Sequence, residues 1–125
     1  MIIPSELLYS LQHIWVKIVK ENVAYVGITD YAQEQLGDII YVDVESIGTT
    51  LKINEIFGSL EAIKTVTDLY MPLDGKVLDV NSELLSDPSL INTDSYGKGW
   101  IIKIKLVNTL TNPLINAEKY KELVS

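Results

Sequence analysis

The sequence predicts a single, mainly β domain built as a sandwich or barrel. Short β-prone runs alternate with turn signals along nearly the whole chain. Helix signals are confined to three brief stretches. No Pro-, Gly- or Ser-rich linker interrupts the pattern, so residues 1–125 are expected to fold as one domain. At that length a single core can form without metal or disulfide staples.

Taken in order, Ile14-Trp15-Val16-Lys17-Ile18-Val19 and Val23-Ala24-Tyr25-Val26-Gly27-Ile28 read as a strand pair turned at Glu21-Asn22. Thr29-Asp30 offers capping oxygens for a short helix through Leu36, which Gly37 ends. Asp38–Val44 is the next strand. A glycine turn at Gly48 leads to a short strand, a polar turn and a further strand toward Gly58. Two more β-prone runs flank Lys64, placing it at the tip of a hairpin.

Tyr70–Asn81 repeats this grammar. Leu73-Asp74-Gly75-Lys76-Val77 resembles Leu36-Gly37-Asp38-Ile39-Ile40, as if the domain had two similar halves. Ser86–Ile91 suggests a helix of one or two turns, with Pro88 in its first turn. Trp100–Val107 is a core strand with lysines on its outer face, and Asn116 caps a C-terminal helix over 117–124.

Composition excludes several functions. All ten basic residues are lysines and the net charge is −7, which argues against a nucleic-acid backbone as partner. There is no cysteine, hence no disulfide, thiolate metal site or thiol nucleophile. One histidine, His13, cannot form a histidine metal cluster, and no Ser-His-Asp set accompanies it. No apolar run reaches the roughly 20 residues of a membrane span. Met1–Glu6 lacks the features of a signal or transit peptide, so a cytoplasmic location is expected.

Most polar residues have structural readings. His13 reads as a packed or surface imidazole, Trp15 and Trp100 as core and edge packing, and Asp30 and Asp38 as cap and turn groups. Glu34 and Asp38 read as a solvated or docking face. A lysine taken singly is solvated surface. Lys64 differs in its framing: Glu61 lies three residues before it, Gly58 and Gly75 lie on either side, and strands arrive and leave. Such a lysine suits acylation by a modifying enzyme, which turns it into a swinging arm.

Glu61-Ala62-Ile63-Lys64-Thr65-Val66-Thr67-Asp68-Leu69-Tyr70-Met71-Pro72-Leu73-Asp74-Gly75 closely resembles the lipoylation hairpin of glycine cleavage system H proteins. Val26-Gly27-Ile28-Thr29-Asp30, Leu36-Gly37-Asp38 and Tyr96-Gly97-x-Gly99-Trp100 match in the family's order. The resemblance implies a lipoyl/biotinyl-type flattened β-barrel, a sandwich of two antiparallel sheets. It implies a carrier without catalytic activity or metal, with lipoic acid amide-linked to Lys64. Glu61 and Gly75 would serve hairpin recognition and turning, and Asp68, Leu36 and Ile14 would form a cleft for the arm.

Implied partners are a pyridoxal-phosphate glycine decarboxylase, a tetrahydrofolate-dependent aminomethyltransferase, dihydrolipoamide dehydrogenase, and a lipoate ligase or lipoyl/octanoyl transferase. A monomer is expected. The chain departs from the family pattern at Ile14, where His-Glu-Trp is usual, at Gln12 for serine, and at Tyr31 for histidine. These departures leave a second reading: a divergent H-like protein acting in lipoate relay or another lipoyl-dependent redox system. A biotin carrier ranks behind both, because Ile63-Lys64-Thr65 lacks the flanking methionines of biotin domains.

Overall fold

The computed structural model describes residues 1–108 and 111–125. Its strands form two antiparallel sheets. The first runs in the order β1 (Leu8–Tyr9), β2 (Ile14–Lys20), β3 (Val23–Ile28), β9 (Ile102–Leu106), β8 (Gly75–Val80), β5 (Thr50–Leu51). The second, three-stranded sheet is ordered β4 (Ile39–Asp43), β6 (Ile56–Ala62), β7 (Val66–Tyr70). The two sheets are separate, so the expected flattened barrel is an open sandwich. The two similar turn-to-strand passages lead into β4 and β8, one in each sheet.

Alternation decides what faces the interior. Val16, Val26, Ile102 and Ile104 of the first sheet and Phe57, Leu60 and Leu69 of the second are all buried in one cluster. Trp15, one residue out of phase with Val16, belongs to a second cluster with Tyr9, Ala117 and Tyr120. That cluster lies beneath α4 (Ala117–Val124). Trp15 pairs with Gly27 across β2 and β3, and a Cβ on Gly27 would stand 2.7 Å from the indole. Glycine there lets the ring lie on the strand.

The caps form as their residues demand. Thr29 Oγ1 accepts from the Ala32 N–H at the start of α1 (Asp30–Leu36), and Asn116 Oδ1 accepts from Lys119 N–H in α4. Gly37 closes α1 at φ 78°, a left-handed conformation that favours glycine. The helix expected over 86–91 is instead two one-turn helices, α2 (Glu83–Ser86) and α3 (Leu90–Thr93). Pro88 is the reason: the residue before a proline is pushed out of the helical region, and Asp87 sits at φ −142°, ψ 76°. The strand expected from Trp100 begins at Ile102. Strand β1, at two residues, is too short to leave a pattern in the sequence.

Candidate functional site

The β6–β7 hairpin places Lys64. Glu61 pairs with Val66, and Ala62 N–H donates to Thr65 O at 2.8 Å. Ile63, Lys64 and Thr65 form the loop between the two strands. None of the three has a positive φ, so the turn is not one of the primed types common in tight hairpins. Ile63 is 67% exposed, and its N–H reaches Asp38 O at 3.3 Å, which ties the tip to the start of β4. Lys64 is exposed and has no hydrogen-bond or ion-pair partner among the described residues.

A cleft of about 270 Å³ opens between this hairpin and α1. Ile14, Ile28 and Leu69 form its apolar base, each buried in the main core. Tyr31, Ala32 and Leu36 line it from α1. Gln12, His13, Gln35, Thr67 and Asp68 supply its polar border. Thr67 is three residues beyond Lys64, roughly 10 Å along an extended strand. An acylated lysine side chain covers that span.

Asp68 also borders a larger groove of about 390 Å³ on the other side, together with Asp43 and Glu45. In register, Asp43, Ser59 and Asp68 form one cross-strand row. Three carboxylates suit solvent or a basic partner, so the apolar cleft is the better place for an acyl chain.

The structure thus brings Ile14, Leu36 and Asp68 to one cleft beside the hairpin that carries Lys64 and Glu61. Gly75 is not brought there. It opens β8 in the opposite sheet, where a Cβ would stand 2.9 Å from the Lys105 carbonyl. Its glycine allows β8 and β9 to approach closely.

One constellation was invisible in the sequence. His13 adopts φ 65°, with its N–H on Ser10 O and its carbonyl accepting from Thr29 N–H. Its Nδ1 lies 2.8 Å from the Tyr120 hydroxyl, which lies 2.7 Å from Thr29 Oγ1. Tyr120 is fully buried, stacked on Tyr9 at 4.6 Å between centroids. These partners stand 107 and 91 residues apart, so no local signal could link them. Trp15 and Trp100 pack as expected, the first buried and the second edge-on to Tyr25 at 4.9 Å.

Burial lowers the His13 pKa from its ordinary 6.5 and pushes Tyr120 up to about 12. The unfolded chain therefore takes up a proton at His13 more readily than the folded one. The stability from keeping it neutral is complete above 6.5 and is lost as pH falls from there through the folded value. Thermal unfolding from roughly pH 7.5 to 5.5 should show this decline, and His13→Gln should flatten it. Identical slopes in both proteins would place the pH dependence elsewhere.

Among the described residues no helix is long and apolar enough to cross a membrane, and no cluster of three or more metal-ligating side chains occurs. The profile of the family described as "Glycine cleavage H-protein" matches residues 7–125. The chain is 47% identical over 123 residues to the glycine cleavage system H protein of Bacteroides thetaiotaomicron, covering 98% of this chain and 97% of that one. It is 51% identical over 106 residues to the H protein of Symbiobacterium thermophilum, covering 85% and 82%. The crystal structure of a glycine cleavage system H protein from Mycobacterium marinum superimposes with a TM-score of 0.88 at 34% identity, covering 96% of this chain and 97% of that one. The cleft, the hairpin and the length of these matches lead to one conclusion: this chain belongs to the glycine cleavage H-protein family.

Proposed function

We propose that Lys64 carries the lipoyl group in amide linkage and that the cleft lined by Ile14, Leu36 and Asp68 receives the arm. As a member of its family the chain is a lipoylated carrier of the glycine cleavage system and catalyses no step itself. Its partners are glycine decarboxylase, the aminomethyltransferase, dihydrolipoamide dehydrogenase and the enzyme that loads the lipoyl group. When bound, that group supplies the disulfide that accepts glycine's aminomethyl unit, releases it to the folate enzyme and is reoxidised.

The observation that carries the assignment is the setting of Lys64: exposed, unpartnered among the described residues, and held on a three-residue loop by paired strands. A loading enzyme can reach the amine without unfolding anything. Glu61, exposed on β6, offers such an enzyme a carboxylate close to the target. Acylation removes a positive charge that would oppose entry into an apolar cleft. Tethering then holds the arm at high effective concentration near each partner's active site. Residues 1–125 act as one carrier domain, in the cytoplasm.

The lipoylated chain should support exchange between the carboxyl group of glycine and bicarbonate when mixed with glycine decarboxylase, and the unlipoylated chain should not. Lipoylated protein that gives no exchange would remove the glycine-cleavage assignment and favour a carrier serving another lipoyl-dependent system. Ile14 is the feature that makes this assay informative, because the base of the cleft lacks an acid there.

A further inference from the structure

Either oxygen of the Thr29–Tyr120 pair can be the donor, but only one order of protons gives every hydrogen in the chain an acceptor. Thr29 Oγ1 is fully buried and accepts from the Ala32 N–H, and among the described residues its own hydrogen reaches no acceptor besides the Tyr120 oxygen. With Thr29 donating, Tyr120 directs its hydrogen to His13 Nδ1, the other group within reach. An Nδ1 that accepts carries no proton. The proton of a neutral His13 therefore resides on Nε2.

We propose that Tyr120, on the C-terminal helix, is a positioning residue for the arm cleft, fixing His13 in its border as the neutral Nε2–H tautomer. This rests on the reading of the cleft as the place of the Lys64 arm. The rings packed on His13 are Tyr31 from α1 at 4.8 Å and Tyr120 from α4 at 5.7 Å, and Asp68 borders the same cleft from β7. Neutral His13 contributes a hydrogen-bond donor and no charge. Asp68 is then the one carboxylate lining the cleft, and no cation opposes an amine brought there on the arm. Backbone geometry holds the same arrangement, since His13 is kept at positive φ by Ser10 and Thr29.

His13 is the only histidine, so long-range proton–nitrogen spectra of the ¹⁵N-labelled unloaded chain report it without ambiguity. At neutral pH the wild type should show the proton on Nε2. Tyr120→Phe keeps the ring on Tyr9 and removes the hydroxyl. It should give a tautomer mixture and move the His13 titration midpoint up by roughly half a unit to one unit. A wild-type spectrum with the proton on Nδ1 would overturn the proposal without any variant, as would a Tyr120→Phe spectrum identical to wild type.

The arm is followed separately through the Ile14 and Leu36 methyl signals before and after lipoylation. Loading should shift them in the wild type and shift them less in Tyr120→Phe. Equal shifts in both proteins would overturn the positioning role. Methyls unmoved by loading in the wild type would instead remove the cleft reading, while the tautomer result would stand on its own.

Discussion

Lys64→Arg should leave the protein folded and abolish its loading altogether. The side chain is exposed on a three-residue loop and has no hydrogen-bond or ion-pair partner among the described residues, so the substitution costs the fold nothing measurable. Guanidinium keeps the positive charge but is not acylated by an enzyme that forms a lysine amide. Nine other lysines remain in the chain, and Lys17, Lys20, Lys76 and Lys105 are likewise exposed on strands. What separates Lys64 from these is its place at a strand-to-strand corner. Incubation with lipoate ligase, lipoate and ATP, followed by intact mass measurement, should show one lipoyl addition in the wild type and none in the variant. A variant that still gains the mass would mean that another lysine is recognised.

Ile14→Glu should destabilise the unloaded protein by about 2–5 kcal/mol, through lost apolar burial and a buried carboxyl group without a partner. Ile14 is 2% exposed at the base of the cleft, with Ile28 and Leu69 beside it. The new carboxyl should stay protonated above the usual glutamate range of about 4.3. Its folded pKa would then exceed its unfolded one, so the variant is best tolerated below that range and loses stability as pH rises through it. Urea denaturation at acid and neutral pH should show the gap from wild type widening with pH. A variant as stable as wild type at neutral pH would mean that the cleft base is wet, not apolar. Bringing an amine on the arm into the variant's cleft should recover part of the loss, because the buried acid then gains a partner.

How much was legible in the sequence follows from how local each signal is. The caps at Thr29, Gly37 and Asn116 are decided within four residues, and all three form as read. Strands β2, β3 and β4 follow from alternation and end within two residues of expectation. Pro88 is compatible with a helix start, but its stronger effect is on Asp87, which divides the helix in two. The hairpin at Lys64 has no Asn-Gly or Gly at its tip, because its turn needs no positive φ. Turn chemistry therefore does not mark it; the β-prone runs on either side of Lys64 do, and the family resemblance adds to them.

At Gly75 the motif marks the residue but not its packing, because the carbonyl that a side chain would meet belongs to Lys105, thirty residues on. The Thr29–Tyr120–His13 chain is more distant still. Only the folding of α4 against β1 and β2 brings its members together, and an isolated histidine and tyrosine carry no hint of that. The departures at Gln12, Ile14 and Tyr31 gain meaning once all three are seen to line the same cleft.

The most direct test is peptide mass mapping of the protein purified from its native host grown with lipoate. The peptide containing Lys64 should be heavier by one lipoyl group, and peptides containing the other lysines should be unmodified. No adduct, or an adduct on a lysine outside the β6–β7 corner, would contradict the account.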